Sequence, residues 1–273
     1  MIDWYDRPQY FDMVFRDETA AEVRFFGEAF ERFVEGPVER LYEPGCGSGR
    51  LVAAMAAKGY QLVGLDNNGS MLSYLRKRLK RRISSTEPAI TAKHAASSNS
   101  NCELVNGDMT RHVCRPAVDA AFCTFNTFRH LLDERSALEH LRCVADSLRT
   151  GGIYILGFHC IPLDADPDCT ERWTASHGGT KVSVTLKVVG FERRRRRETL
   201  RVSIKATKRS GQVERIRSEF PLRLYTPKQA KALLAQVADV FDLAGVYDFD
   251  YDLSEPRKID EDLTDAVFIL RKR

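Results

Sequence analysis

Three glycines alternate with other residues in the segment 43–50, Glu-Pro-Gly-Cys-Gly-Ser-Gly-Arg, which joins an apolar stretch to a helix-forming one. Glycine adopts left-handed backbone angles and lets a ligand approach the main chain closely. The free N–H groups at the start of the following helix favour an anionic ligand group. The dinucleotide fingerprint GxGxxG needs glycine at position 50, where Arg50 stands, so a nicotinamide dehydrogenase is disfavoured.

An acidic residue follows this loop at a suggestive distance. Asp66 comes 21 residues after Gly45, at the end of a second apolar stretch. A carboxylate in that place can accept two hydrogen bonds from a ribose diol, as it does in nucleoside-binding folds. The loop and the spaced acid together therefore indicate a nucleoside-containing cofactor.

The elements that position these residues alternate between strand and helix. Short apolar runs and helical patterns follow each other over residues 38–160, which predicts βαβ units and a parallel sheet. The strands are predicted at 38–42, 61–65, 102–106, 118–124 and 153–158, and the helices at 51–58, 70–80 and 134–148. Ser70 is predicted to cap the second helix. The polar stretch 81–101, rich in Ser, Ala and Asn, is interpreted as a mobile surface loop.

The pattern changes after residue 160. Apolar and polar residues alternate near 182–188, 200–206 and 216–224, which predicts antiparallel strands with one buried face and one basic, solvated face. A helix at 227–237 with Thr226 as its cap and two strands at 241–247 and 266–271 complete the chain. We therefore expect an N-terminal helical lid at 1–36, a core at 37–160 and 226–273, and a β insertion at 161–225.

These segments together resemble the class I S-adenosylmethionine-dependent methyltransferases, of the small-molecule type with an antiparallel β insertion. The resemblance is carried by EPGCGSGR (43–50), GLDNNGSML (64–72), NGDM (106–109), CTFNTFRHLL (123–132), LRTGGIYILGF (148–158) and RLYTPKQAKALLAQV (223–237). It implies an α/β fold, with a Rossmann-like, doubly wound, mostly parallel seven-stranded sheet and the β insertion after the fifth strand. It also implies S-adenosylmethionine as cofactor and methyl transfer to N or O of a small-molecule acceptor.

The resemblance assigns cofactor contacts position by position. The glycine loop would wrap the methionine moiety, Glu43 would anchor that loop or reach the amino group, and Asp66 would hold the ribose hydroxyls. Asp108 would accept from the adenine amino group, with the Met109 backbone at a ring nitrogen. The remaining cofactor-binding candidates are Tyr10, Gly45, Cys46, Gly47, Gly49, Asn67, Met71 and Phe125.

Residues at the ends of the fourth and fifth strands are the catalytic candidates. A neutral amine acceptor needs little more than positioning, whereas a hydroxyl acceptor needs a general base. His130 follows the fourth strand and His159 ends the fifth, so either could be that base or a surface histidine. Asn126 lies in the acceptor-facing turn of the family.

Aromatic residues near the N-terminus could close the site as a lid. Rings can attract a sulfonium by cation–π contact and exclude water, although hydrophobic docking explains most of them equally well. Tyr10 is the one predicted to have a role in the site. Three residues of the insertion or its exit could line the acceptor pocket or pack structurally: Trp173, Arg223 and Tyr225.

The positive charge of the chain is concentrated in the insertion. Residues 161–226 contain fifteen Lys and Arg against eight Asp and Glu, whereas the whole chain has a net charge of +4. The five arginines at 193–197 are interpreted as a solvated hairpin turn. The alternative is a module that binds RNA, or binds a cofactor without catalysis, through this basic insertion. No aromatic residues interleave with the run to stack bases, so a nucleic-acid partner is disfavoured.

The remaining composition points to a cytoplasmic protein. The apolar run 153–158 is far too short to cross a membrane, and the acidic, aromatic N-terminus is unlike a secretory signal. Seven cysteines without a repeated spacing argue against a disulfide framework, and no CxxC or HExxH pattern suggests a metal site.

Overall fold

The computed structural model describes residues 3–84, 101–166 and 168–273. The described residues form eleven strands: β1 (Arg40–Pro44), β2 (Gln61–Asp66), β3 (Cys102–Asn106), β4 (Val118–Cys123), β5 (Leu148–His159), β6 (Thr170–His177), β7 (Thr180–Glu192), β8 (Arg197–Thr207), β9 (Val213–Arg223), β10 (Phe241–Tyr247) and β11 (Asp265–Lys272). They also form six α-helices: α1 (Pro8–Val14), α2 (Thr19–Phe33), α3 (Arg50–Ala56), α4 (Gly69–Ser84), α5 (Glu134–Ser147) and α6 (Pro227–Ala235).

Seven strands make one sheet in the order β10-β11-β5-β4-β1-β2-β3. β1 to β5 pair in parallel, and β11 is antiparallel to both of its neighbours. Buried side chains cover both faces of the sheet, for example Leu41 and Tyr42 on the two sides of β1. The predicted α/β class, with its doubly wound and mostly parallel seven-stranded sheet, is confirmed.

The largest error in the core strands concerns β5, which begins at Leu148 and not at 153. Val118 of β4 pairs with Leu148 of β5, and Ala120 of β4 pairs with Ile153 of β5. The four residues of β5 between these pairs bulge out, while pairing continues on both sides of them. The glycines at 151 and 152 lie inside this bulge. Gly151 has a φ of +77°, which explains why glycine occupies it.

Helix α4 also differs from its prediction. It runs from Gly69 to Ser84, so the first four residues of the predicted loop at 81–101 are helical, and residues 85–100 lie outside the described part of the chain. The Asn68 side chain accepts the N–H groups of Ser70 and Met71 at 2.9 and 3.0 Å. Asn68 therefore caps the helix, and the prediction of Ser70 as the cap was wrong.

The insertion forms a second, four-stranded antiparallel sheet in the order β6-β7-β8-β9. The alternation predicted for β7, β8 and β9 is confirmed, with Val184 and Ile204 paired on the buried face. Strand β6 was not predicted. Its side chains are mostly exposed on both faces, so its sequence lacks an alternating pattern.

The N-terminal segment connects the two sheets. The Trp4 backbone N–H donates to Ser218 Oγ at 2.7 Å, which ties a short 3₁₀ helix (Trp4–Asp6) to β9. Helix α2 packs on the core instead, where Phe26 stacks on Phe122 at 4.8 Å between ring centroids. The segment thus crosses the space between the core and the insertion. None of the helices in the described ranges is long and apolar enough to cross a membrane.

Candidate active site

A cavity of about 450 Å³ opens where the carboxyl ends of the parallel strands face the insertion. One half is walled by the loops after β1, β2 and β3. The other is walled mainly by aromatic and aliphatic side chains of the N-terminal segment and the insertion, together with the Glu171 carboxylate of β6. The lining residues of the second half include Trp4, Tyr5, Phe11, Phe15, Trp173, Leu186, Leu200, Val202, Phe220 and Leu222. Ligands of open α/β sheets bind at this edge, which makes the cavity the candidate site.

The glycine loop after β1 needs its glycines for two reasons. Gly45 has a φ of +70°, and a Cβ there would overlap the methyl group of Thr127, which closes the loop from the side of β4. Gly49 has a φ of +71° and packs against the Leu75 side chain of α4. Gly45 therefore shapes the cavity wall, while Gly49 lies outside the cavity and fixes how α3 meets α4.

Asp66 is held by the loop that it faces. Its Oδ2 accepts the Gly47 N–H at 2.7 Å and its Oδ1 accepts the Asn68 N–H at 2.8 Å. Burial raises the pKa of Asp66, and the N–H groups that point at it oppose this shift. Each carboxylate oxygen keeps a second lone pair, so the group can still accept hydrogen bonds from a ligand in the cavity.

Two further carboxylates line the same half of the cavity. Burial raises the pKa of Glu43 well above its usual range, and its Oε2 has no hydrogen-bond partner among the described residues. Asp108 is more open, and the Thr110 backbone N–H, which donates to its Oδ1 at 2.8 Å, lowers its pKa. Glu43 is thus a buried carboxylate with one unpartnered oxygen, which suits a cationic group of a ligand.

The turn after β4 carries backbone strain. Phe125 and Asn126 have φ values of 59° and 68°, in the left-handed region that non-glycine residues rarely adopt. Asn126 Oδ1 accepts the His159 backbone N–H at 2.9 Å and an Nη of the buried Arg129 at 3.2 Å. Arg129 in turn is paired with the buried Glu198 of β8. This network holds the turn against both β5 and the insertion.

Both candidate bases line the cavity, in different surroundings. The Tyr5 hydroxyl lies 3.2 Å from His130 Nε2, and the Phe220 ring packs beside it. Part of the His130 ring is open to the cavity, yet the crowded walls and the Arg129 guanidinium lower its pKa to about 4. His159 instead pairs through Nδ1 with the Asp265 carboxylate of β11.

The structure brings most of the sequence candidates together. Besides the carboxylates, glycines and histidines already described, the cavity is lined by Cys46, Asn67, Met71, Met109 and Phe125. Burial raises the pKa of the Cys46 thiol well above its usual range, so it is a neutral wall group.

Besides Gly49, three candidates lie elsewhere. Tyr10 donates to Glu214 at 2.8 Å and docks α1 on the insertion. Arg223 and Tyr225 lie beneath the site, where Arg223 packs on the Tyr225 ring and pairs with Glu134. Of the residues proposed for the acceptor pocket, only Trp173 lines the cavity.

Sequence reasoning missed the ion pair behind the glycine loop. Arg50, noted only because it breaks a fingerprint, pairs with the fully buried Glu22 of α2. Glu22 also accepts a hydrogen bond from Thr124 at 2.6 Å. The two residues are 28 positions apart in the sequence. An acidic residue within an amphipathic helix does not by itself indicate a buried ion pair, so the sequence did not predict this one.

Most of the arginine run lies in the turn between β7 and β8, as predicted, but Arg197 is half-buried and begins β8. Residues Arg193–Arg195 form an exposed 3₁₀ turn, while the next arginine stacks on Tyr225. None of the run lines the cavity. Within the described ranges, no group of His, Cys, Asp or Glu is placed to hold a metal ion.

Comparison with known sequences identifies the core. Residues 42–152 match the family of methyltransferase domains. Over these residues the core of the chain is similar to methyltransferase domains. The match spans the glycine loop, Asp66, the turn after β4 and the first part of β5, so it includes the loops after β1, β2 and β3 that wall one half of the cavity. No curated protein sequence matches the chain.

Several solved structures share the fold over nearly the whole chain. DesVI of Streptomyces venezuelae has a TM-score of 0.74 at 14% identity and covers 100% of both chains. A methyltransferase of Clostridium acetobutylicum has a TM-score of 0.71 at 12% identity, covering 96% of this chain and 95% of its own. The sugar N-methyltransferase KedS8 of a Streptoalloteichus species has a TM-score of 0.67 at 16% identity, covering 93% and 88%. At these identities the likeness establishes the fold, including the insertion.

Proposed function

We propose that this methyltransferase binds S-adenosylmethionine in the carboxylate-lined half of the cavity and methylates N or O of a small molecule in the aromatic half. The observation that carries the proposal is the division of one cavity into these two halves, which meet at the turn after β4. KedS8, of similar fold, acts on a sugar amine, which supports a small-molecule acceptor.

The chain's own residues fit the cofactor. The unpartnered Oε2 of Glu43 would accept from the α-ammonium group, and the space left by the missing Cβ of Gly45 would admit the methionine chain. Asp66 would accept from the two ribose hydroxyls through its free lone pairs. Asp108 would accept from the adenine amino group, between the side chains of Met71 and Met109.

The cofactor supplies a methyl group on a sulfonium, and the protein supplies alignment and a dry chamber. The lid aromatics and the inner face of the insertion exclude water from the aromatic half. Asn126, fixed by Arg129 and by the His159 backbone, holds the turn at which the two halves meet. The exposed arginines at 193–195 have no part in this chemistry, since they lie outside the cavity.

Calorimetric titration with S-adenosylmethionine tests the proposal. Asp66→Ala removes a charged acceptor of two ribose hydroxyls, each worth about 1.5 kcal/mol or more, so the Kd should rise about 100-fold or more. Asp250→Ala, an exposed acid in the turn before β11, is the matched control and should bind as the unaltered chain does. Equal affinity in the Asp66 variant would contradict the assignment of the ribose site.

A further inference from the structure

Two side chains at the edge of the cavity form a pair that the transfer of a methyl group to a neutral amine does not require. His159 ends β5, and Asp265 begins β11 directly opposite it in the antiparallel register. The His159 Nδ1–H donates to Asp265 Oδ1, and this bond lowers the pKa of the Asp265 carboxyl. Backbone pairing therefore fixes both partners.

The pair defines which nitrogen of His159 is free. With Nδ1 bonded to a carboxylate, the neutral imidazole carries its proton there and its lone pair on Nε2. The Phe249 ring packs edge to face on the imidazole, with 5.0 Å between centroids, and limits its rotation. Asn126 holds the His159 backbone at the cavity wall. This is the arrangement of an oriented general base, with a carboxylate bonded to the far nitrogen of the imidazole.

His130 lacks these features. No carboxylate pairs with it in the described part of the chain, and Arg129 and the apolar walls lower its pKa to about 4. The Tyr5 hydroxyl lies within hydrogen-bond distance of its Nε2. His130 thus stays neutral near pH 7 and is suited to a hydrogen bond rather than to taking a proton.

The walls around the pair restrict the acceptor. Ten apolar or aromatic side chains line this half of the cavity, and both tryptophans of the chain, Trp4 and Trp173, are among them. The single Lys or Arg among the described lining residues is Arg50, which is already paired with Glu22. A phosphate or carboxylate on the acceptor would find no free cation here and would face the Glu171 carboxylate of β6, whereas an uncharged ring would pack well against the apolar walls.

We propose that the acceptor is an uncharged aromatic compound with a phenol-type hydroxyl, that His159 accepts the proton of that hydroxyl, and that Asp265 is its positioning residue. This rests on the proposed function. The hydroxyl oxygen bonds to the methyl carbon as the carbon–sulfur bond breaks. The electron pair goes to sulfur, giving neutral S-adenosylhomocysteine, and the phenol proton moves to His159 Nε2 and later to solvent.

Matched acceptor probes test the proposal. The chain is incubated with tritium-labelled S-adenosylmethionine and either 2-naphthol, 2-naphthylmethylamine or glucose 1-phosphate, and transfer is counted. Binding of each probe to the S-adenosylhomocysteine complex is followed by the fluorescence of Trp4 and Trp173. We expect 2-naphthol to quench this fluorescence and to accept methyl groups, and glucose 1-phosphate to do neither.

Variants of the pair separate chemistry from structure. His159→Ala should lower kcat for 2-naphthol about 100-fold or more, with partial rescue by added imidazole. Asp265→Asn should lower kcat on the order of 10- to 100-fold with little change in KM, and Asp265→Glu should recover part of that loss. Asp262→Asn, the same change at an exposed position three residues earlier, should match the unaltered chain.

Each other outcome overturns the proposal. Transfer to the amine in preference to the phenol would show that the aromatic half accepts an amine and not a phenol. If transfer to the phenol does not depend on His159, then His159 is not the general base. If S-adenosylmethionine binds but the phenol neither quenches nor reacts, the acceptor class is wrong while the proposed function stands. If S-adenosylmethionine itself does not bind, the proposed function fails instead.

Discussion

His140 of α5 should make the stability of this protein depend steeply on mildly acidic pH. Its imidazole is fully buried, with Nδ1–H donating to the Met109 carbonyl at 3.0 Å and the Tyr154 hydroxyl donating to Nε2 at 2.7 Å. Burial lowers its pKa to about 4, against the favourable contact with the carbonyl. The residue also holds the backbone of Met109, whose side chain lines the cavity.

The sign and size of the effect follow from proton linkage. An unfolded chain has a histidine pKa of about 6.5, so between about pH 6.5 and 4 the unfolded state binds more protons at this position. The contribution of the neutral His140 to stability is therefore fully present above about pH 6.5 and is lost as the pH falls toward 4. Between pH 7.5 and 4.5, His140 alone should lower the free energy of unfolding by about 2.5 kcal/mol.

Urea unfolding of the unaltered chain and of His140→Gln, each at pH 7.5 and 4.5, measures this contribution. Glutamine offers a donor and an acceptor but does not titrate, and the other titrating groups contribute alike to both proteins. The unaltered chain should lose about 2.5 kcal/mol more on acidification than the variant does. Equal losses would refute the argument that burial keeps this imidazole neutral.

Two substitutions test the loop and the ion pair behind it. Gly45→Ala adds backbone strain and a Cβ that overlaps a neighbouring side chain. Calorimetry should therefore record at least about a tenfold loss of S-adenosylhomocysteine affinity. Gly36→Ala, at a similar φ of +81° but in open space, is the control and should leave binding unchanged. Glu22→Gln leaves the buried Arg50 without its partner and should cost about 3–5 kcal/mol in urea unfolding. Glu139→Gln breaks an exposed ion pair and should lower the free energy of unfolding by less than about 0.5 kcal/mol. Similar losses in the Glu22 and Glu139 variants would contradict the burial assigned to the Glu22–Arg50 pair.

Features encoded by neighbouring residues could be predicted from the sequence. The glycine loop and Asp66 each lie at a strand end, and the parallel sheet brings strand ends to one edge. The alternation of β7 to β9 likewise predicted a sheet with one buried face, since that pattern repeats every second residue.

Contacts between distant residues could not be predicted. His159 and Asp265 are 106 positions apart and meet only through the register of β5 with β11. Tyr5 reaches His130 across 125 positions because the 3₁₀ helix docks on β9. The N-terminal aromatic residues form a recognisable cluster in the sequence, and Tyr10 was the one predicted to have a role in the site. Its hydroxyl instead donates to Glu214. The local sequence pattern does not tell which ring of such a cluster faces a cavity.

Titration of the unaltered chain with S-adenosylmethionine is the most direct test of the central claim, that the loop after β1 and Asp66 form the site of this cofactor. The account predicts saturable heat with one site per chain, and no binding of NADH in the same assay. An absence of heat with S-adenosylmethionine, or tighter binding of NADH, would contradict it.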